Sequence, residues 1–284
     1  VIVKTVTLFF ASLLCDAKGF VRLGVVEIGT GPARWRETRE RKEEKRMNTN
    51  VNLNAALGVL AFLGTGGLLL LMGALLLYTL FARKYKLTSK VLGAGLLVGC
   101  LYLGLLLAFS LASSRKALAR GEEKHFCEID CHLAYSVIDV TRTKTLGSGP
   151  NALTASGTFT LLTIKTRFDE TTISATRGNG LLYPNSRVIK ILDEQGREYE
   201  PSTEGQRVLN ISQGGGTPVE TPLRPGESYT TTLAFDLPDD ARNPTLSMRE
   251  GEWVTRFIIG HENSPLHGKT LFQLDGPQKG KSEG

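Results

Sequence analysis

Residues 125–135 read HFCEIDCHLAY and place two cysteines and two histidines within eight positions. Thiolates and imidazoles are the ligands of soft and borderline metals, so Cys127, Cys131 and His132 could supply three ligands locally. The chain has two other histidines, His261 and His267, either of which could add a fourth. Copper or zinc is the metal such a set would take, with Met248 a conceivable weak axial ligand for copper. Haem attachment needs C-x-x-C-H, and Cys127-Glu128-Ile129-Asp130-Cys131-His132 has one residue too many. The third reading is a small-loop disulfide between Cys127 and Cys131, which an oxidising compartment would favour. Its short loop limits the stability that closure adds. Metal ligation and a structural disulfide both stay open, and the compartment bears on the choice.

The elements around this segment decide the compartment. Ala55–Phe81 contains no charged residue, and neither does 91–114. A helix crosses a bilayer with about 20 apolar residues, so each run can span. Gly95 and Gly99 form a GxxxG spacing, which would let two helices approach closely. The connector 82–90 carries Arg83, Lys84, Lys86 and Lys90, whereas 47–54 carries no Lys or Arg. The positive-inside rule then puts the connector in the cytoplasm and both ends of the hairpin outside. Arg115, Lys116, Arg120 and Lys124 after the second run pull the other way.

The formal net charge of +6 is unevenly placed. Residues 1–46 hold ten Lys/Arg and six Asp/Glu, leaving only +2 for the remainder. The first Met is Met47, and Lys42-Glu43-Glu44 just before it is what a translated purine-rich ribosome-binding site looks like. Residues 1–46 are therefore read as an over-extended start, with a basic leader as the alternative, which would argue for the opposite orientation. Outside this leader the basic residues cluster beside the two spans, where topology and lipid headgroups account for them. A nucleic-acid partner is not expected.

From about residue 122 the pattern changes to period-two alternation. Tyr229, Thr231, Leu233, Phe235 and Leu237 share one strand face. Residues 158–168 alternate with a phase slip at Leu161-Leu162 that would suit a bulge. Residues 187–192, the turn DEQG and 197–199 read as a hairpin. Residues 132–140, 253–259 and 270–274 are further strands, with Gly, Pro, Asn and Asp between the runs. Short strands punctuated in this way predict an all-β immunoglobulin-like antiparallel sandwich preceded by a two-helix transmembrane hairpin. The division expected is 47–54 as a short N-terminal segment, 55–114 as the hairpin, 115–121 as a juxtamembrane linker, 122–275 as the sandwich and 276–284 as a disordered tail.

The stretches VIKILDEQGREYEP (188–201) and TPLRPGESYTTTLAFDLP (221–238) resemble a family of bacterial extracellular immunoglobulin-like domains of unknown function, often called telokin-like. There a strand–turn–strand with D-x-x-G-x-x-Y leads to an L-x-P-G-E loop and a strand ending in an F-D-L-P corner. The resemblance covers roughly residues 130–260 and implies a fold and an envelope location, not a chemistry. In outline the chain is also similar to subunit II of the haem–copper oxidases, with a two-helix hairpin before an extracytoplasmic sandwich. In that family the C-x3-C lies late in the sandwich with a His four residues on, so no copper role transfers.

No catalytic arrangement is expected. HENSPLH (261–267) places its histidines six apart and puts Pro265 between them, unlike the i, i+4 pair of a zinc-protease helix. There is no G-x-S-x-G elbow, phosphate loop or dinucleotide fingerprint. Asp169-Glu170 and Asp239-Asp240 read as solvated loop charge, and a calcium site at the second pair lacks further oxygen ligands. The function expected is a non-enzymatic envelope protein of the bacterial cytoplasmic membrane. It would use the lipid bilayer and a protein partner at the membrane for binding or assembly. The alternative is a copper or zinc module for electron transfer or metal delivery.

Overall fold

The computed structural model describes residues 48–53, 55–127, 132–173 and 176–275. The leader 1–46, Cys131 and the tail 276–284 lie outside the described residues.

Two long helices, α1 (Ala55–Phe81) and α2 (Tyr85–Leu111), form a hairpin. Both are apolar and long enough to cross a membrane. Each is 27 residues long, or about 40 Å at 1.5 Å per residue. The first helix matches the expected run. The second starts six residues before the expected Val91 and stops at Leu111 rather than Ser114. Lys86 and Lys90 are good helix formers whose long stems let the charge reach water, so charge alone does not mark the helix start. The connector shrinks to Ala82–Lys84, with Arg83 at φ 54°. A hydrogen bond from Thr88 Oγ1 to Thr79 Oγ1 (3.0 Å) ties the two helices beside it.

The GxxxG expectation is not met. A Cβ on Gly99 would meet nothing within 4 Å, and one on Gly95 would meet only Met72 Cε at 3.8 Å. The close approach is at Gly58, where a Cβ would lie 2.8 Å from the carbonyl oxygen of Ile259. That contact joins a helix to the β domain, not helix to helix.

The domain is two five-stranded sheets. One runs β1 (Asn48–Thr49), β3 (Lys124–Phe126), β4 (Leu133–Leu146), β5 (Leu153–Phe168), β8 (Ser228–Leu237). The other runs β2 (Lys116–Leu118), β10 (Thr270–Gln273), β9 (Thr245–Glu250), β6 (Arg187–Leu192), β7 (Glu198–Tyr199). Pairing is antiparallel except at two edges, where β1 lies parallel to β3 and β2 parallel to β10. These parallel edges are the segments that enter and leave the hairpin. The expected linker 115–121 thus contains a strand, paired Lys116↔Thr270, Ala117↔Leu271 and Leu118↔Phe272.

The alternation in β8 packs as expected. Phe235 and Leu237 enter a core with Tyr135, Val137, Leu162, Ile164, Phe168, Ile191, Leu246, Met248 and Phe272. Leu161 and Leu162 are both buried, but the slip is not a bulge in β5. Their side chains enter two different clusters: Leu162 joins the main core and Leu161 packs with Phe159, Val208 and Leu209. The second cluster exists because a helix the sequence did not reveal, α3 (Thr203–Ser212), covers the other face of the sheet. Ser202 caps it by accepting from Gly205 N at 3.0 Å. The register runs evenly through Leu161 and Leu162 and shifts on either side, at Ile138, which is extra in β4, and between Thr143 and Thr145, where residues 155–158 of β5 are extra.

Residues 253–259 are not a strand. Trp253–Phe257 forms a 3-10 turn, and Ile259 packs with Tyr102 and Leu106 of α2 and with Ala61 and Phe62 of α1. Of the apolar run WVTRFII, Ile258 and Ile259 pack on the hairpin while Trp253 and Phe257 stay exposed.

Candidate functional site

The segment before α1 stitches the hairpin to both sides of the domain. Asn50 N donates to His125 O (3.2 Å), Glu262 N donates to Asn50 O (2.8 Å) and Asn52 N donates to Gly260 O (2.8 Å). Val51 and His261 form an antiparallel bridge. The Asn50 side chain is buried at the centre of this seam. Its Oδ1 accepts from Cys127 N (2.8 Å) and its Nδ2 donates to Glu250 Oε1 (2.8 Å). Every element that meets here comes from a different part of the chain, which is why no local motif announces the cluster.

His261 lies against the same pair. Its Nδ1 accepts from Asn263 N at 3.0 Å, so the ring proton sits on Nε2 and points at Glu250 Oε2, 3.2 Å away. Both nitrogens are thereby committed, one to a backbone N–H and one to a carboxylate. Asn50 Nδ2 is 3.3 Å from His261 Nε2, a contact between two donors in this tautomer.

One turn of the seam away lies a buried ion pair. Lys124 Nζ is 2.7 Å from Glu262 Oε1 and also donates to Met248 O (2.6 Å) and Thr270 O (3.3 Å). Desolvation pulls the Lys124 ammonium below its ordinary range, against the pull of Glu262 in the other direction. All three ammonium protons have acceptors, which is the condition under which a buried charge is tolerated.

His125 faces the opposite side of β3, since neighbours on a strand alternate. Its Nε2 is 3.0 Å from Asp169 Oδ2. Asp169 Oδ1 accepts from Thr171 N (3.0 Å) and Thr171 Oγ1 (2.8 Å) and lies 3.2 Å from Arg167 Nη1. Burial would raise the Asp169 carboxyl, but the hydrogen bonds from Thr171, His125 and Arg167 outweigh it and hold it well below the usual range. Arg167 also grips Glu123 through two bonds of 2.8 and 2.7 Å, a fork that lowers the Glu123 carboxyl. His132 stacks on Phe168 at 5.4 Å and pairs its Nδ1 with Thr172 Oγ1 at 2.6 Å. Thr172 Oγ1 gives its own proton to Asp169 O, so His132 Nδ1 is the donor.

The expected metal residues are therefore divided. Cys127 is buried with its backbone on Asn50. His132 is buried against Phe168 and Thr172, and His261 lies inside the seam. His267 donates Nδ1 to Gly268 O (2.6 Å) beside the end of α2, and burial pushes its imidazole pKa down. Among the described residues no three His, Cys, Asp or Glu side chains gather as a metal cluster. His261 does return to the Cys127 segment, but through Asn50 and with no lone pair left to ligate. Met248 is a core residue, 1% exposed among Leu246 and Phe272, not a ligand at a surface. Asp239 is bound to Lys144 (2.7 Å) and Asp240 to Arg197 (2.9 Å), so both acids are salt-bridged rather than poised for calcium.

Nothing in the sequence marks Asn50, Glu250 or Glu262, and Lys124, which reads there as a charge beside the membrane, is buried instead. Each is a polar residue in a polar-looking stretch, and only long-range pairing makes them a cluster.

Fold and seam together define a β-sandwich built as one piece with an apolar helical hairpin. No protein-family model matches the chain, and no curated protein matches it. Among solved structures, it is similar to the secreted protein MPT63 from Mycobacterium tuberculosis (13% identity, TM-score 0.36, 57% of this chain and 99% of that one). It is similar also to an uncharacterized β-sandwich protein from Clostridium difficile (13% identity, TM-score 0.34, 57% and 95% covered). A third is a conserved hypothetical protein from Bacillus anthracis (10% identity, TM-score 0.32, 42% and 81% covered).

Proposed function

We propose that this is a non-enzymatic envelope protein of a bacterial cytoplasmic membrane, whose immunoglobulin-like domain stands on the extracytoplasmic side and serves binding or assembly. The observation that carries this reading is the seam. Strand β1 before α1 and strand β2 after α2 are both paired into the sandwich. Both ends of the hairpin therefore lie with the domain, and the connector with Arg83 and Lys84, followed by Lys86 and Lys90 in the first turns of α2, lies opposite. The positive-inside rule assigns that connector to the cytoplasm. A domain fixed to its anchor in this way suits presenting a surface at a set height above the membrane, as an accessory subunit or interaction module does. The telokin-like motifs around 188–201 and 221–238 fit the same location.

Cys127 and Cys131 are read as a disulfide that closes the entry into β4. Cys127 is 1% exposed and is not a free thiol, and an extracytoplasmic pair is in the compartment that oxidises it. The rival reading, a copper or zinc module using Cys127, Cys131 and His132 with His261 or His267, needs both cysteines as thiolates. A thiol count and elemental analysis on the full chain purified in detergent separate the two. The disulfide reading expects these two cysteines to react only after reduction and no stoichiometric metal. One bound equivalent of copper or zinc with both thiols reactive would replace it. For the assembly role, cross-linking in native membranes should capture a defined larger complex, and a chain that stays monomeric throughout would remove that part.

A further inference from the structure

The turn that carries Trp253 and Phe257 sits at a definite height on the hairpin. Setting one membrane face at Phe81 and Tyr85, ~30 Å of hydrocarbon takes up about 20 residues of each helix. The opposite face then falls near Ala61 on α1 and Leu105 on α2. At that level Tyr102 and Leu106 form one buried cluster with Ile259, and Ala61, Phe62 and Leu105 pack against it. Tyr102 Oη also donates to Phe257 O at 2.5 Å. The remaining six or so residues of each helix rise another ~9 Å, about the depth of a headgroup layer. Within that rise Gly58 of α1 meets Ile258 and Ile259, and Phe109 O of α2 accepts from Asn52 Nδ2.

The surface is apolar at two places on this turn and at a third in the turn before Gly268, whose N donates to Ser113 Oγ just beyond α2. Trp253 is 68% exposed, Phe257 42% and Leu266 72%. Trp253 and Phe257 stand edge to face, 6.0 Å between centroids. Arg256 is exposed within the turn itself, and Arg115, Lys116 and Lys269 are exposed where the chain leaves α2, with Lys116 N bonded to Lys269 O. Aromatic rings level with a membrane boundary and cations just outside it are the pattern of an interfacial anchor. In water the same rings would form an unexplained apolar patch.

We propose that this face of the β domain is itself a membrane contact. Trp253, Phe257 and Leu266 enter the headgroup–acyl boundary of the bilayer that the hairpin spans, and the flanking cations meet lipid phosphates. The domain is thereby held against the membrane on a third support besides α1 and α2, which fixes its orientation to the surface. The inference rests on the hairpin spanning the bilayer.

The test uses the full chain with Trp35→Phe, so that Trp253 is the sole tryptophan. It is placed in nanodiscs of phosphatidylcholine and phosphatidylglycerol whose acyl chains carry bromine at shallow or deep positions. The expected result is blue-shifted emission from Trp253, quenched more strongly by shallow than by deep bromines. Phe257→Ser should weaken that quenching while the chain stays in the disc. Unquenched, water-like emission from a chain that co-elutes with lipid would overturn the contact and leave the hairpin standing. A chain that fails to co-elute with lipid would overturn both.

Discussion

Replacing Asn50 by alanine isolates the seam between hairpin and domain. The change leaves the backbone bonds of residue 50 possible but removes both side-chain bonds. Cys127 N loses its acceptor at 2.8 Å and Glu250 Oε1 its donor at 2.8 Å, in a place where Asn50 is 1% and Glu250 3% exposed. Leaving a buried polar group unsatisfied costs about 1–3 kcal/mol, and more for a charged one. Two such groups give an expected loss of about 2–5 kcal/mol. For a body of this size that corresponds to roughly 5–15 °C in Tm. Asn50→Asp sharpens the test. The new carboxylate can still accept from Cys127 N, but it faces Glu250 with like charge, so one of the two must hold a proton in the folded state. A carboxyl whose folded pKa is raised binds more protons folded than unfolded, so its stability falls as pH rises through the neutral range. The Asp variant should therefore approach the parent at about pH 4–5 and fall away above it. Thermal unfolding of the full chain in detergent, followed by near-ultraviolet dichroism from pH 4 to 8, reads both effects. A loss from Asn50→Ala no greater than the ~0.5 kcal/mol of an ordinary surface change would refute the seam. So would an Asp variant with no pH dependence of its own.

Further consequences follow from the neighbouring groups. Lys124→Met should cost about 3–5 kcal/mol by stranding Glu262, whereas Lys124→Met with Glu262→Gln should recover most of that loss. A double variant as unstable as the sum of the singles would show that the pair is not coupled. Asp169 has a depressed folded pKa, so its stabilising effect is present above about pH 4 and lost as pH falls below it. Asp169→Asn should thus be less stable than the parent at pH 7, with the gap closing on acidification, and a constant gap would contradict the His125–Thr171–Arg167 setting. His267 has its imidazole pushed down by burial. It should lose stability as pH falls below about 6.5, and His267→Gln should flatten that part of the profile. Gly58→Val should destabilise by about 1–3 kcal/mol because its side chain meets the Ile259 carbonyl, while Gly99→Ala should be nearly silent. The reverse ranking would restore the GxxxG contact.

What the sequence disclosed depended on how local each signal was. The first helix and strand β8 follow from unbroken apolarity and from alternation, each readable in a window of ten to thirty residues. The second helix starts before its charge-free run, because Lys86 and Lys90 are compatible with a helix and mark no boundary. Strands β1, β2 and β3 have two or three residues each and exist only through partners at residues 124–125, 270–272 and 133–135. The apolar run at 253–259 has strand composition but pairs with no strand, because Ile258 and Ile259 at its end pack on the helices, so tertiary packing overrode propensity. Helix α3 carries only Val208 and Leu209 as buried apolar anchors with a Gly in its first turn, too faint a stripe to stand out. At the Cys/His segment, residue types pointed to a chemistry, while the geometry turned on Asn50 and Glu250, whose types point to none. His261 does come back to meet that segment, with its nitrogens already engaged.

In the proposed topology the hairpin ends and the β domain share one side of the membrane and the connector lies on the other. Single cysteines at Ala82 and Thr141, both exposed, test it by reaction with a membrane-impermeant maleimide, scored as signal above the parent chain. The account predicts that Thr141→Cys is labelled in intact spheroplasts and Ala82→Cys only after permeabilisation. Labelling of both positions from the same side would contradict the hairpin, and the reversed pattern would contradict the extracytoplasmic placement.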